Sequence, residues 1–209
     1  YPASQEERAI YRASLHYPRQ GPVLIFVGRF TQKKGLSLLR ELAQVKPDWN
    51  WWLIGSGEID PNAWQLNNVR VIPSLPQNEL RKYYAAADMF ILPSTGEGFP
   101  LSAQEALTCG LPVAVSAETA SNLPNAPLVG LNTSNSQSMV NSLKTLLDNE
   151  EKLAAQSERA ASYAAQWDWD IVEEVVEKRE SPLLYNKELS LKSTAFDPHS
   201  THHPLTQER

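Results

Sequence analysis

VLIFVGRFTQKKGLSLLRELAQV, residues 23–45, decides the fold class. Its first part, VLIFVG (23–28), is an unbroken apolar, β-branched run, as expected of a strand buried on both faces. Its last part places Leu36, Leu38, Leu39, Leu42 and Ala43 at helical spacing until Pro47 stops it. The same unit recurs downstream. NWWLIG (50–55), VRVIPS (69–74), MFILPS (89–94), PVAVS (112–116) and PLVGL (127–131) read as strands. QNELRKYYAAA (77–87), SAQEALTC (102–109), SQSMVNSLKTLLD and EEKLAAQSERAASYAAQ read as helices. Strands and helices that alternate through short links predict an α/β fold: a Rossmann-like, doubly wound, mostly parallel sheet. Ligands of such sheets sit at the carboxyl ends of the strands.

Upstream, ASQEERAIYRASLH (3–16) reads as a helix capped by Ser4, with Glu6 and Glu7 in its first turn and Pro18 and Gly21 ending it. Downstream, DWDIVEEVVEKRE (168–180) reads as a C-terminal helix, and 181–209 as a disordered tail. The expected organisation is a helical segment over 1–20, an α/β domain over 21–167, then that helix and tail.

The chain has 209 residues, 42% hydrophobic and 21% charged, the composition of a globular domain. No apolar run approaches the roughly 18 residues of a membrane span. The opening residues lack the charged-then-apolar pattern of a secretory signal. A net charge of -5 argues against a broad nucleic-acid-binding face but leaves room for a local anion pocket. One cysteine, Cys109, excludes an intrachain disulfide and a cysteine-based zinc site and fits a reducing compartment.

Two turns carry chemistry. The first, Gly28-Arg29-Phe30-Thr31-Gln32-Lys33-Lys34-Gly35, sets a guanidinium, ammonium groups and backbone N–H groups between a strand and a helix. That suits a diphosphate, although it matches neither a Walker A loop nor GxGxxG. A solvated basic turn is the competing reading. The second, Ser94-Thr95-Gly96-Glu97-Gly98-Phe99-Pro100-Leu101-Ser102-Ala103-Gln104-Glu105, combines flexible glycines, amides at a helix start and two carboxylates suited to sugar hydroxyls. Here Ser102-x-x-Glu105 also reads as a capping box that needs no ligand, and Glu97 as an exposed loop acid. Cys109 and the tryptophans Trp49, Trp51, Trp52 and Trp64 read as packing residues; His199, His202 and His203 read as solvated.

GRFTQKKG together with ELRKYYAAADMFILPSTGEGFPLSAQEALTCGLPVAVS resembles the C-terminal, donor-binding domain of the family four retaining glycosyltransferases, which have the GT-B fold. The specific element is Glu97, seven residues, then Glu105, within EGFPLSAQEALTCGLPV. The resemblance covers roughly residues 20–170, and SQEERAIYRASLHYPRQGP resembles the family's inter-domain linker. It implies a hexosyl transfer from a nucleotide-diphosphate sugar with retention of anomeric configuration. No metal and no prosthetic group are implied, and no Asp-x-Asp loop stands at a strand end. Gly28, Arg29 and Lys34 match the diphosphate site, and Glu97 the residue that contacts the transferred sugar. Gly98, Phe99, Leu101 and Ser102 match the amide-bearing turn. Glu105 matches the ribose-binding glutamate, and the backbone near Ile72 and Pro73 the place where the base docks; Pro73 stands where a glycine is usual. Arg29, Lys34 and Glu97 are thus the implied catalytic residues.

The family's acceptor site lies in an N-terminal domain. The chain therefore reads as half an enzyme, a fragment or a chain completed by a partner, acting in the cytoplasm or at the inner face of a membrane on a glycan, lipid or small-molecule acceptor. Two other readings remain: a non-catalytic nucleotide-sugar-binding subunit, and a different GT-B enzyme such as a nucleotide-sugar epimerase.

Overall fold

The structure, a computed structural model, describes residues 2–17 and 20–167. The expected helix over 168–180, the 181–209 tail and its histidines lie outside the described residues.

Six parallel strands form one sheet: β1 (Val23–Val27), β2 (Asn50–Ile54), β3 (Val69–Ile72), β4 (Met89–Leu92), β5 (Val113–Ser116) and β6 (Leu128–Leu131). Their order is β3-β2-β1-β4-β5-β6. This is the doubly wound order, and its direction reverses between β1 and β4. The helices are α1 (Gln5–Ser14), α2 (Leu36–Val45), α3 (Gln77–Ala86), α4 (Leu101–Thr108), α5 (Ala117–Ser121), α6 (Ser136–Leu147) and α7 (Glu150–Ala164). Each expected strand and helix up to residue 166 is present. The short helix α5 and the 3₁₀ turns Gln32–Lys34 and Pro61–Trp64 are additional.

The strand sequences follow from their place. Val23, Leu24, Ile25 and Phe26 of β1 and all of β4 are inaccessible to solvent, because these central strands are covered on both faces. Edge strands β3 and β6 carry exposed Arg70 and Gly130. Trp51 and Trp52, adjacent on β2, take opposite faces. Trp52 meets Tyr83 of α3 edge-on at 5.5 Å, and Trp51 meets Trp49 at 6.2 Å. Trp49, Trp51 and Trp52 are at most 2% exposed, so they are core residues as expected. At about 25 cal/mol per Å² over roughly 150–250 Å², each contributes ~4–6 kcal/mol of gross burial free energy.

Helix α1 buries no residue and is held by polar bonds instead. Its start is a complete capping box: Ser4 Oγ accepts from Glu7 N (3.1 Å), and Glu7 Oε2 accepts from Ser4 N (2.8 Å). Its end comes earlier than the sequence suggests, at Ser14, where His16 turns left-handed (φ 54°). Arg8 and Arg12 donate to the carbonyls of Ala87 (2.5 Å) and Ala86 (3.0 Å), which close α3. The negative end of a helix attracts such cations. Asp88, just beyond, accepts from Arg12 Nη2 (2.7 Å), the Tyr17 hydroxyl and Val23 N (2.9 Å). Asp88 thus ties α1, β1 and β4 together at the edge of the sheet opposite the strands' carboxyl ends.

Asp88 is 16% exposed in its side chain and its arginine partners about a third, so this cluster is partly screened. We predict that Asp88→Ala costs about 2–3 kcal/mol, read as a lower urea midpoint at unchanged m-value. Burial, and then the Asp88 carboxylate, push the Tyr17 hydroxyl above its ordinary value of 10. The unfolded chain releases that proton near pH 10 while the folded chain keeps it. The stability Tyr17 adds is therefore intact below about pH 10 and declines as pH rises further. The urea midpoint should fall between about pH 9 and pH 11, and less steeply in Tyr17→Phe.

Candidate functional site

The loops after β1 and β4 emerge side by side where the strand order reverses. The first is pinned by Phe30, 3% exposed. Phe30 N donates to Ser56 O (2.9 Å) and Phe30 O accepts from Ile59 N (3.0 Å), extending the β1–β2 pairing beyond the strands. This leaves Arg29 exposed, its guanidinium with no hydrogen bond or ion pair among the described residues. The chain then makes its 3₁₀ turn over Gln32–Lys34 and enters α2 through Gly35 (φ 79°).

Three contacts join the two loops. Thr95 N donates to Lys33 O (3.1 Å). Lys34 Nζ pairs with Glu97 Oε1 at 2.8 Å, their side chains only 20% and 15% exposed. Gly35 lies so close to Pro93 that a Cβ there would stand 2.5 Å from the Pro93 carbonyl oxygen. Lys34 and Glu97, matched separately to diphosphate and sugar, are therefore partners of each other, which their sequence positions did not reveal.

Glu105 lies on α4, whose N-cap is Pro100 and carries no side-chain cap. Ser102 is already the second helical residue, so the Ser102–Glu105 capping box does not form. The Glu105 carboxylate instead accepts from the Tyr84 hydroxyl (Oε2, 3.0 Å), which also lies 3.2 Å from Ser102 O. Gln104 Nε2 donates to Phe99 O (3.0 Å) and shapes the turn before the helix. Gly98 is exposed, Phe99 and Leu101 are half-buried, and Ser102 is buried. The amides of Leu101 and Ser102 belong to the first turn of α4, which an α-helix leaves without internal acceptors.

Ile72 ends β3 and Pro73 follows it, two strands from β1 and hence about 10 Å across the sheet. The Ile72 carbonyl accepts from Gly55 N (3.0 Å), and Pro73 is exposed. All the sequence-matched residues thus line the carboxyl edge of the sheet. Two residues there were given no role of their own from sequence. One is Tyr84, for which a tyrosine within a helical run gives no signal. The other is Ser94, fully buried just after β4, whose Oγ has no partner among the described residues. Cys109 sits outside the site, and burial pushes its thiol up to about 11. Among the described residues no group of three His, Cys, Asp or Glu side chains could hold a metal. No helix among them is long and apolar enough to cross a membrane.

Residues 7–163 match the family model described as glycosyl transferases group 1. The chain belongs to that family. Among curated relatives, it is 32% identical over 187 residues to the D-inositol 3-phosphate glycosyltransferase of Thermobispora bispora, covering 78% of this chain and 43% of that protein. The chain thus spans less than half the length of that relative. Among solved structures it superposes on the C-terminal domain of the group 1 protein LpcC from Francisella tularensis, with a TM-score of 0.60 and 22% identity. That match covers 78% of this chain and 92% of that domain. HepE of Anabaena, solved in complex with UDP-glucose, gives a TM-score of 0.68 at 23% identity, covering 88% of this chain and 54% of that one. The group 1 domain described here has the fold of the C-terminal half of a GT-B glycosyltransferase.

Gly35→Ala is predicted to destabilise the domain by more than about 2 kcal/mol, since it combines a left-handed backbone with a clash on Pro93. Gly98 has open space around it, so Gly98→Ala should leave the unfolding free energy from urea titration within about 0.5 kcal/mol of wild type. Cys109 should react with a thiol reagent at pH 8 far more slowly in the native protein than in urea; equal rates would contradict its packed state.

Proposed function

We propose that this chain supplies the donor-binding half of a retaining, metal-independent hexosyltransferase that uses a nucleotide-diphosphate sugar. Residues 21–167 form its binding domain in this reading, and residues 1–20 lead to the acceptor half, which lies in the same protein or in a partner chain. The observation that supports it most directly is the convergence, at the β1/β4 switch point, of Arg29, the Lys34–Glu97 pair and the start of α4.

The chemistry follows from charge. Departure of the nucleoside diphosphate builds negative charge on its oxygens and positive charge on the anomeric carbon. Arg29, Lys34 and the first amides of α4 stabilise the leaving diphosphate as its charge grows. Lys34 need not abandon Glu97, because an ammonium has three donors and can bridge a carboxylate and a phosphate oxygen. Glu97 then holds the sugar and supports the oxocarbenium-like carbon, with front-side attack giving retention. Glu105 takes ribose hydroxyls, Gly28, Gly98, Phe99, Leu101 and Ser102 offer backbone to the donor, and the base lies against Ile72 and Pro73. HepE's complex with UDP-glucose supports a donor of this class. Because the chain matches less than half of the T. bispora relative, a second reading is a subunit that binds donor without transferring its sugar.

Calorimetric titration with UDP, GDP and ADP, with and without EDTA, tests the proposal. One nucleotide should bind, indifferent to EDTA. Arg29→Ala and Lys34→Ala should each weaken it by about 1.5–3 kcal/mol; unchanged affinity in both would remove the diphosphate assignment. Glu97→Ala should spare the free nucleotide yet lose the preference for the intact donor sugar. Transfer with retained configuration once the acceptor half is present separates the enzyme from the binding subunit, and an epimerised donor would indicate neither.

A further inference from the structure

Tyr84 lies on α3, outside the two loops, and donor binding as proposed gives it no role. It is 2% exposed. Its ring packs against Phe90 of β4, centroids 6.2 Å apart, so its position is set by the core. Its hydroxyl reaches α4, where it stands 3.0 Å from Glu105 Oε2 and 3.2 Å from Ser102 O. A phenol has one proton to donate, and a carboxylate is a stronger acceptor than a neutral carbonyl.

We infer that Tyr84 is a positioning residue: its hydroxyl holds the Glu105 carboxylate in the orientation that recognises the ribose of the donor. A glutamate side chain turns about several bonds, and one left to itself loses much of that freedom when it binds. The bond from Tyr84 removes part of that loss before the nucleotide arrives. It also references Glu105, through Phe90, to β4, the strand that leads into the loop of Glu97. This inference rests on the assignment of Glu105 to ribose.

The test compares UDP, GDP and ADP with their 2′- and 3′-deoxyribose forms in wild type, Glu105→Gln and Tyr84→Phe. Phenylalanine keeps the ring and its packing on Phe90, and the urea midpoint of each variant confirms the fold. In wild type the ribose form should bind at least about tenfold tighter than a deoxyribose form. Tyr84→Phe should reduce that preference at least about threefold while the deoxyribose forms bind as before. A purely structural tyrosine would weaken both forms equally, which overturns the inference, as does an unchanged preference in Tyr84→Phe. If Glu105→Gln leaves the preference intact, the ribose assignment itself fails, and the role of Tyr84 with it.

Discussion

The close approach of Gly35 to the Pro93 carbonyl is the constraint on which the site depends. Two strands that are neighbours in the sheet but separated by two other strands in sequence end in loops, and the loops must meet without a side chain between them. Glycine at position 35 meets both demands: it accepts the left-handed turn into α2 and leaves the Pro93 backbone undisturbed. With that approach made, the Thr95–Lys33 backbone bond closes and Lys34 comes within reach of Glu97.

The electrostatics of the domain divide between the two ends of the sheet. At the carboxyl edge a cation and an anion neutralise each other in a half-buried setting, and Arg29 stands exposed beside them. At the opposite edge one carboxylate, Asp88, gathers two arginines, a tyrosine hydroxyl and a backbone amide. The net charge of -5 reflects neither place, which is why overall charge excludes a broad polyanion surface but says nothing of a local anion pocket.

Much of the fold was legible because its central strands are hydrophobic without interruption, a pattern that strands covered on both faces require and half-solvated strands do not show. Each such strand was readable to within a residue or two. Their order was not, since nothing in VLIFV or MFIL states which strand lies beside which. The two loops were legible as turns that link a strand to a helix, whereas the bonds inside the candidate site join residues far apart in sequence, Lys34 to Glu97 and Tyr84 to Glu105. The capping-box reading of Ser102 and Glu105 failed for a local reason. Pro100, with φ -60° and ψ 132°, takes the N-cap position, so the helix starts before Ser102 and carries it past the place where its hydroxyl could cap. The same kind of motif at Ser4 and Glu7 does form, because there Ser4 itself has the extended backbone a cap requires.

The anchoring of α1 has a mechanical consequence. A helix that buries nothing could swing freely, but this one is riveted by Arg8, Arg12 and Tyr17 to the end of α3 and the base of β4. It is a lever arm with its fulcrum on Asp88. Any torque applied to α1 enters the sheet at the feet of β1 and β4, the two strands whose following loops are joined by the Lys34–Glu97 pair.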